Sequence, residues 1–140
     1  MKKIKAWWWV RQPYCHLSYG DIRTAKVGVT HKVGYDKYRS IQCCVWGLHA
    51  SKKLLHARKY GCSNRYGVFR VILSGKTNSQ QDKIAASSRT YVGYLSYKEL
   101  KNLLSVNDYK RINIGVGKQA KEAEKKILAA MTKKHGKRIT

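Results

Sequence analysis

Acidic residues are scarce in this 140-residue chain. Seven Asp and Glu face thirty Lys and Arg, for a formal net charge of +23. Between positions 41 and 75 there is no Asp or Glu at all, yet Lys52, Lys53, Arg58, Lys59, Arg65 and Arg70 fall there. Self-repulsion of that kind is a mild liability for a compact fold. A negatively charged partner is therefore expected, and nucleic acid, RNA or DNA, is the commonest polyanion. Proline occurs once, at Pro13, and glycine is not enriched, which excludes a collagen-like or Pro/Gly-rich disordered chain. A long apolar or strongly amphipathic segment is also missing, so no membrane partner is expected. The basic start at Met1 is followed by an apolar run, 6–10, too short for a signal core. A cytoplasmic location is expected on that ground.

The four cysteines, Cys15, Cys43, Cys44 and Cys62, include no C-x-x-C pair. Adjacent Cys43 and Cys44 would point to opposite faces of a strand. No metal is expected, and the cysteines read as free thiols. Gly115-Val116-Gly117-Lys118 lacks the full spacing of a nucleotide-binding P-loop, and no cofactor is expected. Gly117 and Lys118 at a helix start do suit a nucleic-acid phosphate.

What is present predicts an α+β domain over 1–134: a mainly antiparallel sheet, two short helices and a longer C-terminal helix. Residues 135–140 read as a basic mobile tail. The stretch 43–88 organises the chain as strand, helix, strand. The apolar run 41–46 is the first strand. Ser51 can cap the segment KKLLHARKY, which stops at Gly61, and 68–73 is a β-branched strand closed by Ser74-Gly75. Residues 6–10 form another strand, with Trp7 and Trp9 on one face and Trp8 on the other. Either that strand is buried on both faces, or one indole, Trp8, stays exposed to stack on a base. Pro13 ends it. Loose alternation over 22–33 predicts a strand or hairpin, 76–81 a turn, 83–87 a further segment and 90–95 a strand. Ser96 and Glu99 have capping-box spacing, with Leu100, Leu103 and Leu104 forming a helical face behind them. Residues 107–117 are a connector with a possible short strand at 111–116. The clearest helix is 118–134, with Ala120, Ala123, Ile127, Ala130 and Met131 on one face.

The candidate nucleic-acid contacts are the charges Lys52, Lys53, Arg58, Lys59, Lys118, Lys133, Lys134, Lys137 and Arg138. Loop 34–40 adds Tyr35, Lys37, Tyr38 and Arg39, which read equally as an aromatic and basic surface or as ordinary loop residues. His49 follows a strand and sits near a glycine, where it can be an acid, a base, a ligand contact or a core histidine bonded to backbone. Were the protein an enzyme, of transferase or nuclease type, His49, Ser51 and Tyr60 would be its site residues. A structural protein of a ribosome or virion is a third reading of the same charge.

Residues 44–90, about a third of the chain, resemble an uncharacterised domain family of phage and bacterial proteins. The matching pattern is Gly47-Leu48-His49-Ala50-Ser51, then Ala57 and Tyr60, then Val68-Phe69-Arg70-Val71 with Leu73 and Gly75. It closes with Asp82-Lys83-Ile84-Ala85-Ala86-Ser87 and Arg89-Thr90. This resemblance implies a small α+β domain of phage-associated origin. The partner could then be a host nucleoprotein machine such as a ribosome, polymerase or defence complex. Ala50-Ser51, Ala57, Tyr60 and 68–73 are also similar, more faintly, to ADP-ribosyltransferases. That family carries a catalytic glutamate late in its fold; after Arg89 no well-placed glutamate stands out apart from the capping Glu99.

Overall fold

Two apolar, β-branched segments pair into the frame of the molecule. In the computed structural model, which describes residues 2–10, 16–18, 21–33, 40–43, 46–59, 67–105, 117–136 and 139, these are β6 (Val68–Gln80) and β7 (Lys83–Leu95). They form an antiparallel hairpin from Val68↔Leu95 to Gln80↔Lys83, with register shifts between Arg70 and Val71 and between Ser74 and Thr77. Such irregularities bend a strand and increase its twist. The hairpin is longer than the sequence predicts. Ser74-Gly75 bends β6 instead of ending it: Gly75 takes φ +79, and the next amide, of Lys76, donates to the Ser87 hydroxyl. The polar segment 76–80 is therefore strand, and 83–87 and 90–95 are one strand.

β1 (Ile4–Trp9) runs antiparallel to the first half of β6, Ile4↔Leu73 to Trp9↔Val68. The other edge of β7 is shared. β5 (Leu48–Ala50) pairs with Ile84–Ala86, and β4 (Thr30–Lys32) with Ser88–Thr90. Just past β5, Ser51 exchanges two backbone hydrogen bonds with Trp7, of 2.7 and 2.9 Å. Backbone bonding thus passes from β1 through β6, β7 and β5 and returns to β1. The sheet curls on itself. β2 (His16–Ser18) and β3 (Asp21–Thr24) form a separate two-stranded ribbon. β3 and β4 bear out the strand or hairpin expected over 22–33.

Two further expectations are corrected. The run 41–46 is not the strand; Gln42 and Trp46 bond to each other, and extended pairing starts at Leu48. Cys43 is buried and its amide and thiol donate to Asn78, so this turn is fastened to the hairpin. Ser51 is not the helix cap, because its backbone is committed to Trp7. Helix α1 (Leu54–Lys59) starts later, with the Lys53 carbonyl accepting the first bond, from Ala57.

Helix α2 (Tyr97–Leu103) has the expected capping box: Ser96 accepts from the Glu99 amide, and the Glu99 carboxylate accepts from the Ser96 amide. α3 (Gly117–His135) is the long C-terminal helix. The fold class is α+β, as the sequence predicts.

Alternation on β1 builds two cores. Trp8, with Ile4, Ala6 and Val10, points inside the curl against Phe69, Val71, Leu73, Ile84, Ala86 and Tyr91. Trp7 and Trp9 point outward, under Leu54, Ala57, Leu100, Ala123, Ile127 and Met131 of the helices and Leu104 just past α2. Exposures of 0%, 7% and 2% for Trp7, Trp8 and Trp9 settle the sequence alternative in favour of a strand buried on both faces. Trp8 stacks on Phe69 at 5.6 Å, and Phe69 meets Tyr91 edge-on at 5.2 Å.

Within 135–140, expected as a mobile tail, one described residue, Ile139, departs from that reading. Ile139 is 0% exposed and belongs to the outer core. It lies over Gly93, where an added Cβ would stand 2.6 Å from its Cδ1, and its carbonyl accepts from Arg70 Nε at 3.2 Å. At this residue the tail is anchored. Ile139→Ala is therefore expected to cost about 2 kcal/mol or more in chemical denaturation. An unchanged midpoint would contradict the anchoring.

Candidate nucleic-acid interface

The described arginines point inward or are otherwise engaged. Each tryptophan of β1 carries one guanidinium on its ring: Arg70 over Trp7 at 4.6 Å, Arg89 over Trp8 at 4.1 Å and Arg58 over Trp9 at 5.0 Å. A cation over an indole face gains from the ring quadrupole, more so where water is excluded. Arg70 and Trp7 are direct cross-strand partners. Burial lowers the Arg70 pKa and the nearby Glu124 carboxylate opposes that shift. Glu124 also accepts from Trp7 Nε1 at 3.1 Å. Arg89 is 2% exposed inside the curl. It donates to the His49 carbonyl at 2.7 Å and to the Tyr91 hydroxyl at 3.1 Å, which lies 2.8 Å from His31 Nδ1. Arg23 donates to the Lys32 carbonyl.

These contacts correct the stacking role expected of Trp8 and place two further expected binding residues, Arg58 and the still exposed Lys134. Trp8 cannot offer a face for base stacking, because Phe69 and Arg89 cover it in the inner core. Arg58 is half-buried and its guanidinium faces Trp9. Lys134 is a clasp between helices: its ammonium donates to both Glu99 oxygens, at 2.9 and 3.1 Å, and to the Tyr94 carbonyl. Burial pushes the Glu99 carboxyl up, but the bonds from Lys134 and Ser96 outweigh it and hold the group below its ordinary value.

Lysines dominate the described surface of the helical layer. Lys52 and Lys53 are exposed just before α1, Lys98 and Lys101 on α2, and Lys121, Lys125, Lys126 and Lys133 on α3. Ala120, Ala123, Ile127 and Met131 turn the opposite side of α3 into the core. Of the layer's described acids, Glu99 and Glu124 are tied to neighbours, and Glu122 stands exposed among the lysines. Further exposed cations lie away from that layer: Lys2, Lys3 and Lys5 at and before β1, Arg23, Lys32 and Lys76 on strands, and Lys26 between β3 and β4. The chain's single-letter order already held the signal for Lys121 and Lys125, which fall at three- and four-residue steps from Lys118 opposite the apolar stripe. Lys98 and Lys101 had the same signal on a shorter helix. Lys59 and Lys118 lie on α1 and α3. Tyr35, Lys37, Tyr38, Arg39, Tyr60, Lys137 and Arg138 lie outside the described residues.

His49 sits on β5 opposite Ala85, with Lys83 as its diagonal neighbour on β7. Burial, then the charges of Lys83 and Arg89, lower its pKa from the usual 6.5, against an opposing bond with the Gly47 backbone. Ser51 is 1% exposed. Among the described residues no group of three His, Cys, Asp or Glu could hold a metal, and no helix is long and apolar enough to cross a membrane.

No protein-family model matches this chain, and no curated protein or solved structure matches it significantly.

His49 makes a pH prediction. The unfolded chain takes up a proton at this histidine near pH 6.5, whereas the folded site resists it. The unfolded state then binds more protons, so stability falls as pH falls through that range. Thermal melts from pH 7.5 to 5 are expected to lose more for the natural chain than for His49→Gln. Equal losses would contradict the site's electrostatics.

Proposed function

We propose that this chain is a strongly basic nucleic-acid-binding protein that acts by neutralising phosphates with the lysines of its helical layer. The observation that carries this reading is the sorting of charge. Described arginines are held by rings and carbonyls, Glu99 and Glu124 are tied within the layer, and lysines line its outer surface. A fold has no internal use for that lysine surplus, and a phosphate polymer does. Base stacking on Trp8 is no part of the mechanism. A phage-associated setting, with docking on a host nucleoprotein machine as one way of meeting the nucleic acid, is part of this proposal and rests on the sequence resemblance of residues 44–90 alone.

A second reading rests on one observation, a half-buried His49 with a lowered pKa beside Lys83. It is a transferase or nuclease using His49 in acid–base chemistry. His49→Ala separates the two: an enzyme loses turnover and keeps binding, whereas a binding module has no turnover to lose.

The leading reading is tested by a salt titration. With four to six phosphates neutralised, log affinity against log salt is expected to fall with a slope of about −4 to −5 on duplex nucleic acid. A dissociation constant that hardly moves between low and moderate salt would overturn it.

A further inference from the structure

We infer that the partner is a double-stranded nucleic acid, bound without regard to sequence along the solvent side of α3. This rests on the nucleic-acid reading above and names the form of its ligand. α3 is 19 residues long, about 28 Å at 1.5 Å per residue. Its exposed Lys121, Lys125, Lys126 and Lys133 span about 18 Å, or roughly five base-pair steps at 3.4 Å each. The outward side of a packed helix is rigid and convex. Proteins that take single strands without sequence preference instead use a basic groove with aromatic platforms; among the described residues the three indoles of β1 are in the cores, and no aromatic side chain lies on the exposed side of α3. A duplex presents fixed rows of phosphate, at one charge per about 1.7 Å of axis, to an outward-curving row of ammonium groups.

The charge type sets the expectation about sequence. Base edges are read most often by arginine forks bidentate on guanine. Among the described residues, all four arginines are engaged: Arg58, Arg70 and Arg89 have their guanidinium groups on tryptophan rings, and Arg23 donates to a backbone carbonyl. The exposed charges described on α3 are lysines, compact point charges suited to phosphate, with Glu122 the one carboxylate among them. Contacts to phosphate position a protein but carry no sequence information.

The test is fluorescence anisotropy over a series of salt concentrations, with affinities compared at matched salt, on labelled probes of about 20 base pairs: two DNA duplexes of unrelated sequence, an RNA duplex, and the separated strands. The natural chain is compared with a variant carrying Lys121→Ala, Lys125→Ala, Lys126→Ala and Lys133→Ala. Alanine favours the helix, and circular dichroism confirms that the variant is folded. Expected is duplex binding about tenfold or more tighter than single-strand binding, whether the DNA or the RNA duplex supplies the phosphates. The two DNA sequences are expected to agree within about threefold, and the folded variant to lose about three to four from the salt slope. Single strands bound as tightly as duplexes, a strong preference between the two sequences, or an unchanged slope in the folded variant would each overturn the inference. In those cases the nucleic-acid reading itself survives; it fails only if none of the probes is bound.

Discussion

Three consecutive indoles on one strand leave the chain no way to hide them except by building a core on each face. β1 is that strand. Its inner residue, Trp8, fills the curl made by β6, β7 and β5, and its outer residues, Trp7 and Trp9, form the floor on which the helices pack. The two Trp7–Ser51 backbone bonds close the curl. Burying an aromatic side chain is worth several kcal/mol relative to truncation, about 3–5 for a large core aromatic, so the double burial is a strong constraint on everything around it.

The same indoles decide where the charge goes. Each receives an arginine, which brings Arg58, Arg70 and Arg89 against the cores and away from open water. Guanidinium is weakly hydrated and flat, so it tolerates that position better than an ammonium would. Lysines, with strongly hydrated heads, remain outside. Glu124 and Glu99, meanwhile, are taken up by Trp7 and Lys134. Packing and surface chemistry are therefore linked: the rings draw in Arg58, Arg70 and Arg89, and the described exposed lysines lie on both the helical layer and the sheet side.

Much of the fold was legible because it rests on local signals. The two-sided burial of β1 follows from period-two alternation, the α2 cap from Ser96 and Glu99, and α3 from its apolar stripe. The errors lie where tertiary contacts override local cues. Ser74-Gly75 looks like a strand end, yet a bulge against Ser87 lets β6 continue. Ser51 looks like a cap, yet Trp7 claims its backbone. Ile139 is a lone apolar residue in a basic tail, and only the slot over Gly93 explains its burial. Of the site, lysines on helices could be found from spacing. That Arg58 turns to Trp9 and Lys134 to Glu99 could not, since both depend on neighbours far away in sequence.

The central claim is that the lysines of the helical layer face the partner. Lysine acetylation with and without a duplex, read residue by residue by mass spectrometry, addresses it most directly. Protection of Lys121, Lys125, Lys126 and Lys133, with Lys26, Lys32 and Lys76 unchanged, is the predicted result. Protection confined to Lys26, Lys32 and Lys76, or none on α3, would contradict the account.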